Sequence, residues 1–426
     1  MNRRVFMGTL ATAAATLRGR ASATQTRDTV RLGLIGCGWY GGVVLDAAFK
    51  AGGVELAALC DVDSDHLEKT AQKYAALQPG RPKGFKDWRE LLAMPGLQAV
   101  VIATPPHWHA LPFIDACRRG LDIYCEKPLA YDIREGRAMV DAAKASGRVV
   151  QVGFQRRQSD AIRQAADYIA GGSPGRIMAV DARIHYSPRL ADPTPKDPPP
   201  TLDWDFWCGP APKLPYSDQV GHFNWRLEKA YGNGHLVDWG IHWIDAVRTI
   251  LRLDMPHVVQ AAGGLYQLKG RITTPDMLTA HFEFERCPVV WRHRLMGSPE
   301  YTPETNIGMF FYGEKETLFV NDTRYVVVPA GKDARRRIVE ATNDAQRAHV
   351  AEFLDAVRTR GPVSCTPEDA YRSTTAVQLA MIALEAGGRV AWDAATEQVR
   401  DNPAAHALLA REYRGEWTHP SKATKS

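Results

Sequence analysis

No segment beyond the N-terminal leader approaches 18 uninterrupted apolar residues. A bilayer-crossing helix needs about 20, so membrane insertion of the mature protein is not expected. Cysteine is scarce: the 426 residues contain 7, an odd number with no C-x-x-C pair. Cys37, Cys60, Cys117 and Cys125 fall in or beside apolar runs, as reduced, buried thiols do. H-E-x-x-H is absent, and His107-Trp108-His109 has no third ligand nearby, so no metal is expected. A charge surplus is missing too. Of the net +5, four charges belong to Arg3, Arg4, Arg18 and Arg20, which leaves +1 for the rest. That gives no electrostatic basis for binding nucleic acid or an anionic membrane. Internal repeats are absent.

What is present begins with the leader. Asn2-Arg3-Arg4-Val5-Phe6-Met7 precedes a mildly apolar run, 8–17, and the small-residue site Ala21-Ser22-Ala23. This pattern predicts a twin-arginine export signal over residues 1–28 and a periplasmic or otherwise exported protein. Such export carries folded proteins, so a nucleotide captured in the cytoplasm would travel with the chain. Hydrophobic residues at 45% and charged residues at 24% are ordinary for a globular protein long enough for two or three domains.

From residue 29 strand and helix patterns alternate. The runs 30–36, 54–60, 99–104, 121–125 and 149–154 read as strands. Between them, the stretch up to 51, 65–76, 109–119 and 132–146 read as helices. This order predicts an α/β fold whose N-terminal domain, 29–152, is a Rossmann doubly wound parallel sheet. In 153–426 a helix at 159–170 leads to a long strand at 176–186. Five prolines then make 191–201 irregular, and a helix is expected at 235–251. Strand-like runs at 258–265, 277–285, 289–295, 307–312 and 325–329 follow, with helices near 345–358 and 367–385. They predict a C-terminal α/β domain with an open, mostly antiparallel sheet.

Gly36, Gly38 and Gly41 form G-x-G-x-x-G between a strand and a helix. The first glycine permits the turn, the second lets the backbone approach a pyrophosphate, and the third packs helix on strand. Asp61 ends the second strand, 25 residues past Gly36, where a carboxylate accepts from ribose hydroxyls and repels a 2′-phosphate. NAD is therefore favoured over NADP, tightly held. The expected cofactor set is Gly36, Gly38, Trp39, Tyr40, Gly41, Asp61, Thr104, Pro105, His109, Glu126 and Lys127. Lys127 stands at a strand end, where ligands of such sheets bind. Asp238 and His242 are four apart on the helix after the proline segment, so they share a face. A carboxylate there could orient an imidazole acting as base. Asp245 lies one turn further along. Arg156, Tyr186, Trp204, Trp207, Trp225 and Arg226 are candidate substrate contacts, with Arg157 a further pocket candidate and the tryptophans a possible stacking wall for a sugar.

The glycine loop, Thr104-Pro105-Pro106, Glu126-Lys127-Pro128 and the Asp238/His242 pair occur in an order and spacing that resembles the glucose–fructose oxidoreductase/inositol dehydrogenase (Gfo/Idh/MocA) family over roughly residues 30–390. The resemblance implies oxidation or reduction of sugars, glycosides or polyols. Lys127 and Asp238 would orient substrate and base, and His242 would take the hydroxyl proton. Glucose–fructose oxidoreductase itself has Tyr where this chain has His242. An alternative from the same family is a redox-neutral NAD-dependent glycosidase or lyase that oxidises its sugar transiently. A homo-oligomer, dimer or tetramer, is implied as well.

Overall fold

The computed structural model describes residues 29–297, 302, 305–331 and 335–423. The twin-arginine segment, 1–28, lies outside them. Six short strands form the first sheet: β1 Val30–Ile35, β2 Val54–Cys60, β3 Lys83–Phe85, β4 Ala99–Ile102, β5 Asp122–Cys125 and β6 Val150–Val152. Their order is β3-β2-β1-β4-β5-β6, every pair parallel. β4, β5 and β6 are buried throughout, because helices cover both faces. The strand order reverses between β1 and β4, and a crevice opens beyond the carboxyl ends of these strands.

Local chemistry sets the helix starts. Gly38 precedes Trp39–Ala51. Asp63 accepts from the Asp65 N–H to cap Ser64–Ala75, and Asp132 accepts from the Glu135 N–H to cap Ile133–Ser146.

The second sheet has ten strands, in the order Arg337–Glu340, Arg324–Pro329, Glu316–Val320, Ile307–Gly313, Ile177–His185, Pro288–Arg294, Met277–Glu283, Val258–Gly264, Val390–Asp393 and Gln398–Arg400. Only Ile177–His185 beside Pro288–Arg294 runs parallel; the other pairs are antiparallel. Helices Asp160–Ala170, Ile241–Leu251 and Pro367–Glu385 pack on this half. Helix Ala345–Thr359 crosses back: its Val350, Phe353 and Leu354 join Leu34, Val44 and Leu45 in one apolar cluster. The C-terminal half thus completes the Rossmann core. No described helix is long and apolar enough to cross a membrane.

Residues 187–234 form an inserted strap with a short α-helix, Trp204–Cys208, a 3-10 turn, Asn224–Leu227, and its own apolar cluster. The strap is pinned to the Rossmann domain beside the crevice. Ser64 N–H donates to Thr201 O at 3.0 Å and Asp203 N–H to Val62 O at 3.0 Å. Trp108 Nε1 donates to Trp207 O at 2.9 Å.

Candidate active site

The glycine loop shows three distinct constraints. Gly36 has φ +97°, and a Cβ there would lie 2.8 Å from the Ala103 carbonyl. A Cβ on Gly41 would lie 2.0 Å from Gly36 O, so this glycine sets how close the helix sits to β1. Around Gly38 a Cβ would meet nothing within 4 Å, and no side chain caps the helix there. Open space and uncapped N–H groups at a helix N-terminus suit a pyrophosphate.

Two connected cavities of about 270 Å³ each extend from this loop. The first runs past Asp61, His66, Thr104 and Pro105 and is roofed by Phe206, Trp207, His222 and Phe223 of the strap. The second contains Glu126, Lys127, Arg156, Tyr186, Asp238 and His242. Trp39, Tyr40, Thr104, Trp225 and Arg226 border both. In the first, Asp61 accepts from Cys37 N–H at 2.7 Å and Asp63 N–H at 2.9 Å. Asp63, His66 and His222 bring three ligand-type atoms within 4.8 Å of one another at its edge. Asp63 already caps a helix and is hydrogen-bonded to His222 Nε2 at 2.9 Å, so the trio latches the strap to the Rossmann domain.

In the second cavity, Lys127 Nζ donates to Asp238 O at 2.6 Å and Asp238 Oδ1 at 3.0 Å. An ammonium has three donors, so one is left for a ligand. Burial alone would raise the Asp238 carboxyl, but Lys127 and Arg226 overcome it and hold Asp238 below its ordinary value. His242 is driven well below the ordinary imidazole value by burial, then by the Arg156 and Lys127 cations. It is therefore a neutral acceptor at pH 7. Thr104 Oγ1, Glu126 Oε1 and His242 Nδ1 are buried without a hydrogen-bond partner. Gln155 Oε1 on the same cavity is a fourth. Unsatisfied buried polar atoms are rare, and four such atoms together fit a polar ligand such as a nicotinamide carboxamide and a carbinol.

Burial pushes the Glu126 carboxyl up to about 8. Below about pH 4.5 both folded and unfolded chains hold this proton. As pH rises toward 8 only the unfolded chain gives it up freely, so stability is lost across that window. Thermal unfolding of nucleotide-free protein from pH 5 to 8.5 should show wild type falling relative to Glu126→Gln; parallel curves would contradict the burial.

Several expected contacts are not formed. Asp238 does not orient His242. The turn Leu236–Gly240 is π-helical, which widens it and changes the relative azimuth of residues four apart. Asp238 instead holds Lys127, with Arg226 Nε at 3.4 Å. Asp245 and Arg157 face the interior: Arg157 forms a buried double contact with Asp245 at 2.8 and 2.5 Å and reaches Asp369. His109 lines neither cavity; its two ring nitrogens meet Pro128 O and Thr104 O, bracing the loops behind the site. Gly41 contributes packing only. Trp204 is stacked on Trp207 at 4.6 Å inside the strap's core. Trp207 reaches only the nucleotide-side cavity, so the expected wall of three tryptophans is not built; of the three, Trp225 alone borders the second cavity.

Residues 30–154 match the oxidoreductase-family model for the NAD-binding Rossmann fold, and 201–391 match the same family's C-terminal alpha/beta domain. The chain belongs to the Gfo/Idh/MocA oxidoreductase family. Among curated relatives, levoglucosan dehydrogenase of Pseudarthrobacter phenanthrenivorans is 32% identical over 178 residues, 42% of this chain and 39% of that one. Inositol 2-dehydrogenase of Salmonella typhimurium is 29% identical over 161 residues, 37% and 46% respectively. The chain thus spans less than half the length of these relatives. Among solved structures, aldose-aldose oxidoreductase of Caulobacter crescentus superposes with TM-score 0.67 at 17% identity, covering 85% of this chain and 99% of that one. A levoglucosan dehydrogenase complexed with NADH gives 0.66 at 20%, covering 85% and 99%. These two show that this Gfo/Idh/MocA chain shares their fold. Within it the family's nucleotide domain carries the Gly36–Gly41 loop and Lys127, while the C-terminal domain supplies Asp238 and His242.

Proposed function

We propose that this protein is an exported oxidoreductase that moves hydride between a carbinol carbon of a sugar, glycoside or polyol and a permanently held NAD. One observation carries the reading: Lys127, Asp238 and His242 converge in a cavity that opens onto the glycine-loop crevice. The names of relatives, levoglucosan dehydrogenase, inositol 2-dehydrogenase and 1,5-anhydro-D-fructose reductase, support the substrate class. Bound NAD supplies the hydride acceptor or donor. Lys127, fixed by Asp238, gives its remaining N–H to the carbinol oxygen. Neutral His242 takes the hydroxyl proton, and the carbonyl that forms is stabilised by the ammonium.

Retention of NAD is supported by the strap, which closes over the crevice and is latched by His222 and Asp63, with Lys86 on Asp203 at 2.6 Å. Export rests on Arg3-Arg4 and the segment after it, and self-association on the family resemblance. A protein that keeps its nucleotide must re-oxidise it in place, by a second substrate or by another electron acceptor. The test is to heat-denature the mature protein, identify the released nucleotide by mass and repeat after incubation with glycosides. About one NAD per chain, converted to NADH with a ketosugar, supports the reading. An empty protein contradicts retention, and released aglycone without net NADH would indicate the redox-neutral glycosidase.

A further inference from the structure

The second cavity carries more positive than negative charge. Lys127, Arg156, Arg189 and Arg226 line it, facing Glu126 and Asp238. Asp238 is shared between Lys127 at 3.0 Å and Arg226 at 3.4 Å, so it neutralises one of them. Glu126 is buried and keeps its proton at neutral pH. Arg156 meets Asp322 at 3.2 Å, but that carboxylate lies outside the cavity and its side chain is 40% exposed. Water therefore weakens the pair. The rings of Trp239 and Trp243, 5.5 and 4.9 Å from the Arg156 guanidinium, orient its plane without cancelling its charge. Arg189 is exposed at the cavity edge and forms no ion pair or side-chain hydrogen bond among the described residues. With Asp322 counted and Glu126 protonated, four cations face two ionised carboxylates among the described residues.

Arg156 and Arg189 border the second cavity only, whereas Arg226 borders both. The pair is therefore not committed to the nucleotide pyrophosphate. A guanidinium matches a planar or tetrahedral oxyanion with two parallel N–H donors. Tyr186 and Trp239, each partly exposed, line the same cavity and give it aromatic surface of the kind a sugar ring packs against.

We propose that the substrate is an anionic sugar, its carboxylate or phosphate monoester held by Arg156 and Arg189 while its carbinol lies at Lys127 and His242. This rests on the oxidoreductase reading above. Arg189 is the residue that discriminates acid from neutral sugar.

The experiment uses the NAD-loaded full-length mature protein and matched pairs: hexuronates and aldonates against their parent aldoses, and hexose 6-phosphates against the same parents. Two readouts run in parallel at fixed ionic strength, reduction of the bound nucleotide at 340 nm and quenching of bound NADH fluorescence on ligand addition. Within a pair the acid should have a kcat/KM about 10–100-fold above its parent, the worth of a charge-assisted bidentate contact. Arg189→Met should raise KM for the acid by about tenfold with kcat little changed, Arg189→Lys should recover part of it, and Arg189→Glu should remove the preference. The carboxylate and phosphate arms identify which head group is recognised. Equal or better use of the neutral members, with Arg189→Met unchanged, would overturn the proposal while leaving the oxidoreductase intact. If no pair reduces the nucleotide yet acids alone quench NADH, the charge assignment stands and the hydride-transfer reading fails. If no member of any pair, acid or neutral, reduces the nucleotide and none quenches NADH, both fail.

Discussion

Replacing Lys127 by Met should lower kcat/KM for the carbinol substrate by on the order of 10³-fold, within the range for losing a positioned proton-handling and charge-stabilising group. Methionine keeps the length and flexibility of the stem, so the cavity wall stays filled and only the ammonium is lost. Two of its donors hold Asp238 O and Oδ1, and the third is the one the reaction needs. The side chains of Lys127 and Asp238 are 11% and 8% exposed. The variant therefore leaves a buried carboxylate with Arg226 alone, and some loss of stability accompanies the loss of rate. Nucleotide content should stay near one per chain, because Lys127 does not line the crevice around Gly38 and Asp61. A loss under about tenfold would mean the ammonium does not touch the reacting oxygen.

Gly41→Ala should cost the protein both its nucleotide and much of its stability, and Gly38→Ala should cost only the nucleotide. A methyl at 41 would lie 2.0 Å from Gly36 O. That neighbour is backbone, so the helix Trp39–Ala51 must move off β1. Overpacking of this kind costs about 1–3 kcal/mol or more. At Gly38 φ is −67°, a value any residue adopts, and the added methyl meets no protein atom within 4 Å. It projects into the space through which a pyrophosphate would approach the helix N-terminus. Calorimetry of nucleotide-free protein, with nucleotide content measured separately, distinguishes the two. A Gly41→Ala protein that unfolds at the wild-type temperature would contradict the packing role.

The parallel sheet was legible because its strands are short apolar runs separated by 10–15-residue helices; all five expected strands formed within a few residues of their expected ends. The helix Pro367–Glu385 matched to the residue. The edge strand Lys83–Phe85 of the parallel sheet and the strands Glu316–Val320, Arg337–Glu340, Val390–Asp393 and Gln398–Arg400 were not foreseen. They are three to five residues long, and each carries a charged residue that blurs the alternation. Their partners in the sheet decide their conformation. In the site, Gly36, Gly38, Lys127 and His242 were readable from motif and context. The contact of Asp238 with Lys127 was not, since a helical spacing of four carries no sign of a π-helical turn. Residues of the strap that roof the crevice, Phe206, His222 and Phe223, had only a loop rich in aromatics to announce them. Such loops make private cores as often as binding walls, and Trp204 and Trp207 do the former while Trp207 also edges the cleft.

In the proposed reaction, hydride passes from the carbinol carbon beside Lys127 and His242 directly to a nucleotide already in the crevice. The most direct measurement mixes the purified protein, with no nucleotide added, with a substrate deuterated at its reacting carbinol carbon, then releases the nucleotide and weighs it. The expected product is NADH one mass unit heavier than normal, in about one copy per chain, with no label in Lys127→Met on the same timescale. Unlabelled nucleotide alongside oxidised substrate, or deuterium recovered in water, would contradict it.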